Sequence, residues 1–290
     1  MRIEANGPFN YTMTYDFMAK QDDCLYEAHE GKLRRAIHID GKAVLFEVMS
    51  HSKDAVDVDI LYNEGAKEEH IREYVVDWLD LDYDLEAFYR FAAADPRLSQ
   101  IIGERTGYRM TCKPDIMEAL MWAVLGQQIN MAFAYILKRR IVEHFGHHVE
   151  YEGRQYWLMP TSEELSSLDP ETLRDMQVSY RKAEYLGLCA SGVQNGELSK
   201  GKLLAIGDYG AVLKYMTSFK GIGLWSANTV LMRTLKYRNA VPIGDAGLRN
   251  AIRLTDGLEE RPDKAYIASV IEDWGSYGAY ATLYMWHILF

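Results

Sequence analysis

The chain has 290 residues, enough for about two domains, and its 48% hydrophobic and 26% charged content excludes a chain disordered by composition. Its 32 basic and 42 acidic side chains give a net charge of −10, which excludes a uniformly basic coat for nucleic acid but leaves room for a local basic surface. The three cysteines, Cys24, Cys112 and Cys189, are scattered, which argues against a disulfide framework, a structural zinc site and a cysteine-ligated iron–sulfur cluster.

The N-terminal 83 residues have the pattern of a small antiparallel β domain. No apolar segment follows a basic start, and no run of about 18 apolar residues occurs in the chain, so we expect a cytoplasmic protein with no membrane partner. Alternating apolar residues precede Asp40-Gly41, a two-residue hairpin sequence, and alternation resumes after it. A further strand is predicted over 56–60 and a helix over 67–79.

From residue 84 to 290, apolar residues recur at helical spacing. Two helices are predicted over 116–145, with a break near Gly126. Asp169 followed by Pro170 is typical of an N-cap and the first residue of another helix. The region after residue 84 is therefore predicted to be helical throughout.

Charge is distributed unevenly along the chain. Residues 54–95 contain 13 acidic and 3 basic side chains, whereas residues 220–253 contain 6 basic side chains and a single acid, Asp245. A solvated surface is the ordinary explanation of such a basic run, and contact with DNA is the alternative.

Residues 208–236 contain two predicted helices joined by a glycine-rich hairpin. Asp208 is positioned to cap the first helix, and the second is predicted over 224–235, after Phe219-Lys220-Gly221-Ile222-Gly223. Backbone N–H groups at the start of the second helix would attract a phosphate oxygen, and the glycines would let a nucleic-acid backbone approach. An ordinary helical turn with a glycine cap explains the same residues without DNA.

The residues after the second helix identify a family. Val241-Pro242-Ile243-Gly244-Asp245 is followed by Ala246-Gly247-Leu248-Arg249, which opens a third helix. From 219 to 249 the chain resembles the helix-hairpin-helix DNA glycosylase superfamily, and 117–130 and 181–186 resemble its AlkA-type branch, the 3-methyladenine DNA glycosylase II proteins. The resemblance implies an α+β fold. A TATA-binding-protein-like antiparallel β domain over 1–83 would precede an all-α glycosylase region over 84–290, with two helical subdomains flanking the active-site cleft.

Two absences narrow the chemistry that the resemblance implies. Bifunctional relatives carry a nucleophilic lysine two residues after the second hairpin glycine, where this chain has Trp225. Other branches hold an iron–sulfur cluster with four C-terminal cysteines, and here no cysteine follows Cys189. We therefore predict a monofunctional glycosylase without a metal cluster and without lyase activity.

Asp245 is the predicted catalytic residue. By itself the pattern around it indicates a helix N-cap, and the two roles are compatible because a helix N-terminus attracts a negative charge. Cleavage of an N-glycosidic bond produces an oxocarbenium-like sugar, which a fixed anion stabilises, and the same carboxylate could activate the attacking water. One carboxylate suffices when the base is alkylated, because a cationic base leaves as a neutral molecule without protonation. This predicts poor activity on neutral lesions.

The flipped base is expected to enter an aromatic pocket. Trp225 lies opposite the apolar stripe of its helix, so it either packs on a neighbouring helix or stacks on an electron-poor base. By resemblance, the pocket residues are predicted to be Trp225, Thr229, Tyr280 and Trp286. Relatives have an aromatic residue where this chain has Ala246, and another where it has Thr229, so the pocket is expected to be roomier.

The predicted DNA contacts surround this pocket. Gln128 occupies the position of the family's wedge, which fills the gap left by the flipped base, although a buried polar contact or a helix boundary would explain it equally well. The predicted DNA-binding residues are Gln128, Gly221, Gly223, Ser226 and Arg249. No cofactor is expected beyond a monovalent cation on the hairpin carbonyls of Thr217, Phe219 and Ile222.

The predicted function is hydrolysis of the N-glycosidic bond of alkylated purines, of the 3-methyladenine and 7-methylguanine type, in duplex DNA by base flipping. This would be the first step of base excision repair, carried out by a monomer. One alternative is a non-enzymatic hairpin protein that binds the DNA backbone, which would need neither Asp245 nor the pocket aromatics. Another is a glycosylase for other damaged, oxidised or deaminated bases.

Overall fold

A computed structural model describes residues 1–289, and its N-terminal part is a five-stranded antiparallel sheet with two helices. The strands follow the spatial order β1-β5-β4-β3-β2. The elements are β1 (Arg2–Glu4), α1 (Tyr11–Ala19), β2 (Tyr26–His29), β3 (Lys32–Ile39), β4 (Lys42–Met49), β5 (Ala55–Asn63) and α2 (Glu68–Trp78). Its antiparallel sheet confirms the predicted N-terminal architecture, although the sequence did not predict β1, α1 or β2.

The predicted hairpin at Asp40-Gly41 is confirmed. Ile39 pairs with Lys42, and both turn residues have left-handed backbones, with φ of 53° at Asp40 and 72° at Gly41. A tight two-residue turn of this kind matches the twist of the strands it joins. One face of the sheet packs against α2 through the buried side chains of Ile71 and Val75, which forms a core separate from that of the helical region.

Helices make up most of the rest of the chain, as predicted, and the predicted caps at Asp169, Asp208 and Asp245 each accept a backbone N–H. The helices are α3 (Leu85–Ala92), α4 (Ile116–Leu125), α5 (Met131–Phe145), α6 (Ser162–Ser166), α7 (Pro170–Asp175), α8 (Tyr180–Gln194), α9 (Lys200–Ile206), α10 (Tyr209–Thr217), α11 (Leu224–Arg233), α12 (Ala246–Thr255), α13 (Lys264–Trp274) and α14 (Gly278–Trp286). Short 3₁₀ turns occur between some of them. Within 1–289, no helix has the length and apolar character needed to cross a membrane.

The prediction that the chain is helical throughout after residue 84 is wrong at one place. A second hairpin, β6 (His148–Tyr151) and β7 (Arg154–Trp157), packs on the outer face of the N-terminal sheet. Its turn residues Glu152 and Gly153 have φ of 50° and 73°, so this is another two-residue turn of the type seen at Asp40-Gly41. The hairpin buries Val149 and Tyr156 against the sheet, which covers a face that would otherwise lie in water.

Part of the acidic run pairs with part of the basic run between the sheet and the helical region. Lys236 lies 2.8 Å from Asp77 and 2.9 Å from Asp82, and Arg238 makes a 2.6 Å contact with the buried Asp80. Two of the six basic side chains in residues 220–253 therefore join the two parts of the molecule instead of forming a solvated surface or a DNA contact.

Candidate active site

A cleft of about 1550 Å³ opens between the α10–α11 hairpin and the N-terminal part of the molecule. The α4–α5 loop, the start of α12 and the end of α14 complete its walls, and α1 contributes from the N-terminal domain. The central helix α4 is buried on all sides and packs against α8 and α11, so it fixes the position of these walls.

The two hairpin glycines have different structural roles. Gly221 has a φ of +93°, and a Cβ there would lie 2.3 Å from Cγ of Tyr185, so close packing on α8 requires this glycine. At Gly223 no atom lies within 4 Å of the position of a Cβ. The expected close approach of a nucleic-acid backbone therefore explains only Gly223, which is the N-cap of α11 and has no side chain to accept the N–H groups of its first turn.

Gln127, which the sequence did not single out, holds the hairpin in place. Its Nε2 donates to the carbonyl of Gly221 at 2.9 Å and to Oγ of Ser226 at 3.0 Å. The hydroxyl of Ser226 in turn donates to the carbonyl of Ala123, and its side chain is buried. A phosphate contact at Ser226 would use its backbone N–H alone, and it stays a prediction.

Asp245 lies in the cleft, and its carboxylate is held by three N–H donors. Oδ1 accepts the backbone N–H of Leu248 at 2.7 Å and Nε1 of Trp286 at 2.9 Å. Oδ2 accepts Nε1 of Trp225 at 3.0 Å. The carboxylate that caps α12 is thus also the one that faces the cleft, as the sequence analysis required.

Three of the four predicted pocket residues line the cleft, namely Trp225, Thr229 and Trp286. The hydroxyl of Thr229 donates to the carbonyl of Trp225 within the same helix, so it has no proton left to donate to a ligand. The prediction for Tyr280 is wrong. Its side chain is fully buried, its hydroxyl donates to Oδ2 of Asp80 at 2.7 Å, and it does not line the cleft.

Arg233 is a cleft residue that the sequence analysis did not identify. It follows Trp225 and Thr229 at four-residue intervals along α11, so the three side chains line the same wall. Its guanidinium lies 5.7 Å from the ring centroid of Trp286, and no acidic side chain within 1–289 pairs with it. The helical spacing from Trp225 could have revealed it.

A buried ion cluster forms the deep wall of the cleft. The carboxylate of Glu118 contacts Nη2 of Arg35 at 2.5 Å, Nζ of Lys113 at 2.7 Å and Nζ of Lys138 at 3.0 Å. Burial alone would raise the pKa of Glu118, but the three cations outweigh it and hold this pKa well below its ordinary value. Burial also lowers the pKa of Lys113, whose amine lies beside the ring of Trp122.

The remaining predicted residues lie on or near the same face. Gln128 is exposed at the tip of the α4–α5 loop with a left-handed φ of 56°, and it lines the cleft, as expected of a wedge. Arg249 lies on α12 outside the cleft lining, and its Nε donates to the carbonyl of Pro262 at 2.7 Å. The hairpin residues of the predicted cation site, Thr217, Phe219 and Ile222, also line the cleft.

Two family models cover most of the chain. The model of the HhH-GPD superfamily of base excision DNA repair proteins matches residues 121–276. The model of the N-terminal domain of 8-oxoguanine DNA glycosylase matches residues 9–120. The boundary between the two family models lies within α4. The hydrophobic cores divide the chain at a different place, because apart from Leu25 the buried residues before about residue 83 do not belong to the core of the helical region.

Individual relatives agree with these matches. A DNA-3-methyladenine glycosylase of Bacillus subtilis (strain 168) is 37% identical over 275 residues, which are 93% of this chain and 90% of that protein. The 3-methyladenine DNA glycosylase of Archaeoglobus fulgidus superposes with a TM-score of 0.84 at 27% identity, covering 99% of this chain and 97% of the other. An 8-oxoguanine glycosylase/lyase of Clostridium acetobutylicum bound to DNA superposes with a TM-score of 0.78 over 99% of this chain and 97% of the other. At 20% identity, this last match concerns the fold alone.

Proposed function

The chain belongs to the HhH-GPD superfamily of base excision DNA repair proteins, and we propose that it cleaves the N-glycosidic bond with Asp245 as its catalytic carboxylate. The protein is a DNA glycosylase that acts on alkylated bases in base excision repair. The observation that supports the role of Asp245 is its position in the cleft, between two tryptophans and next to the hairpin.

The chemistry follows from the charge that moves during cleavage. As the bond to an alkylated purine breaks, positive charge leaves the base and develops on the deoxyribose. A fixed carboxylate beside the sugar stabilises that charge without any reorganisation of the site. The departing base becomes neutral, so it needs no general acid, in contrast to the sugar alkoxide that leaves in O-glycoside hydrolysis. The expected product is an abasic site in an intact strand.

We further propose that the enzyme has no lyase activity. Breaking the strand through a Schiff base requires an amine that reaches the sugar, and the position that carries this lysine in bifunctional relatives is Trp225. The amine of Lys113 also lines the cleft, but it is bound to Glu118 in the deep ion cluster. The amine of Lys113 is therefore held in an ion pair.

The proposed partner is duplex DNA that contains an alkylated base. The exposed N–H groups at the start of α11 would bind a phosphate, Gln128 would fill the space left by the flipped base, and Arg249 would contact the backbone. A monovalent cation would bind the hairpin carbonyls of Thr217, Phe219 and Ile222. The carbonyl of Phe219 already accepts the N–H of Ile222 at 3.1 Å and has a second lone pair for a cation. The proposed enzyme works as a cytoplasmic monomer.

A second candidate is excision of oxidised or deaminated bases, favoured by the 8-oxoguanine glycosylase model that matches residues 9–120. Those residues form α1, strands β2 to β5, α2, α3 and the start of α4, whereas Asp245 and both indoles lie outside them.

We expect the purified protein to release 3-methyladenine and 7-methylguanine from methylated duplex DNA, because these cationic bases leave without protonation. Free bases would be separated by chromatography and quantified against time, with duplexes that contain hypoxanthine or 8-oxoguanine assayed in parallel. Faster release from the alkylated DNA supports the proposal. Release confined to the neutral lesions would show that the second candidate function is the correct one.

Borohydride should trap no covalent complex between the protein and DNA, because Trp225 stands where bifunctional relatives carry the reactive lysine and the amine of Lys113 is paired with Glu118. The assay is gel electrophoresis after reduction in the presence of a duplex with a lesion or an abasic site. A bifunctional glycosylase serves as the positive control. A trapped adduct that disappears in Lys113→Gln would assign lyase activity to Lys113 and overturn the monofunctional proposal.

A further inference from the structure

The indole N–H groups of Trp225 and Trp286 both point at the carboxylate of Asp245, one at each oxygen. From the sequence alone, these residues are predicted only to be walls against a flipped base. A tryptophan that serves solely as a stacking wall needs its ring face and not its N–H. The two N–H contacts therefore need a separate explanation.

We propose that Trp225 and Trp286 are positioning residues, whose N–H groups fix the Asp245 carboxylate so that it acts on the sugar as a stationary negative charge. This inference rests on the proposed role of Asp245 and specifies how that role is carried out. Two indoles of the base pocket would then contribute to the rate of bond cleavage as well as to binding of the base.

The acceptor capacity of the carboxylate supports this role. An ionised carboxylate has about four lone-pair sites, and three are taken by Leu248, Trp225 and Trp286. The single remaining site is on Oδ2. A carboxylate anchored at both oxygens cannot rotate to follow a water molecule, whereas a fixed orientation is what electrostatic stabilisation of the sugar requires.

The backbone around the site makes room for both indoles. A Cβ at Gly126 would lie 3.3 Å from Cη2 of Trp225, and a Cβ at Gly247 would lie 3.4 Å from Cδ1 and Nε1 of Trp286. Each tryptophan thus packs against a glycine, at a distance that a larger residue would disturb. Both rings are held where their N–H groups reach Asp245.

The experiment replaces one atom in each indole. Trp225 or Trp286 is substituted by β-(3-benzothienyl)alanine, in which sulfur takes the place of the N–H while the ring area for stacking is kept. We expect the single-turnover rate of 7-methylguanine release to fall about 10- to 100-fold for each variant, because hydrogen bonds to a charged group are among the strong ones. Affinity for DNA with an abasic site, and the KM, should change by less than about 3-fold since the contact area is unchanged.

Trp274 supplies a matched control. Its Nε1 donates to Oδ2 of the buried Asp95 at 3.2 Å, and it does not line the cleft. The same substitution at Trp274 removes an indole–carboxylate hydrogen bond far from the proposed chemistry. We expect it to lower the thermal stability and leave the cleavage rate unchanged.

The outcomes distinguish this inference from the function on which it depends. If the unmodified protein releases no alkylated base, or Asp245→Asn releases it at the same rate, the proposed role of Asp245 is wrong. A second outcome is that Asp245→Asn is inactive while both benzothienyl variants keep the full cleavage rate, or change only in KM. In that case the positioning role alone is overturned. An equal loss of rate in the Trp274 control also overturns it, because the effect would then reflect stability.

Discussion

Replacing Asp245 with asparagine should lower the rate of alkylated-base release at least about 10²-fold, while DNA binding is retained. The amide removes the negative charge that would stabilise the sugar cation. Its oxygen can still accept the N–H of Leu248, and asparagine is as good an N-cap as aspartate, so α12 should stay intact. The measurements are single-turnover base release and binding to a duplex with an abasic site.

Asp208→Asn provides the matched control for this substitution. Asp208 caps α10 by accepting the N–H of Ala211 at 2.8 Å, so it has the same local structural role at α10 that Asp245 has at α12. It does not line the cleft. We expect wild-type release from this variant, and wild-type release from Asp245→Asn as well would contradict the proposed mechanism.

Features that depend on neighbouring residues in the chain could be predicted from the sequence. The cap at Asp245, the hairpin at Asp40-Gly41 and the break near Gly126 each depend on a few consecutive residues, and each is present in the structure. The position of the proposed catalytic carboxylate could be predicted for the same reason, because the residue that caps α12 also lines the cleft.

Features that depend on distant partners could not be predicted in the same way. The resemblance to the family predicts Tyr280 in the pocket, but its hydroxyl donates to Asp80, 200 residues away in the chain, within the core. The same buried aspartate accepts from Arg238, which the charge pattern had placed in a solvated or DNA-binding run. A buried carboxylate needs such partners, and no local pattern reveals which residues they are.

Replacing Glu118 with glutamine should lower the free energy of unfolding by about 3–5 kcal/mol, because it leaves three buried cations with Asp23 as their remaining acidic partner. For a chain of this size the melting temperature should fall by roughly 6–15 °C. The matched control is Glu143→Gln, which removes an exposed pair with Arg139 on α5 and should cost less than about 1 kcal/mol. Thermal unfolding followed by circular dichroism measures both.

The pH dependence of the difference in stability between wild type and Glu118→Gln identifies the cause of that difference. The pKa of Glu118 is lowered in the folded protein, so its charge stabilises the fold above the ordinary value of 4.5, and that contribution is lost as the pH falls further. The gap in melting temperature between wild type and Glu118→Gln should therefore be constant from pH 7 to pH 5 and narrow below about pH 4.5. A gap that persists unchanged at pH 4 would mean that glutamine disturbs packing and not charge. Because the variant keeps Asp245 and both indoles, its rate of base release well below its melting temperature should stay close to that of wild type. Such a result would show that Glu118 stabilises the fold and takes no part in bond cleavage.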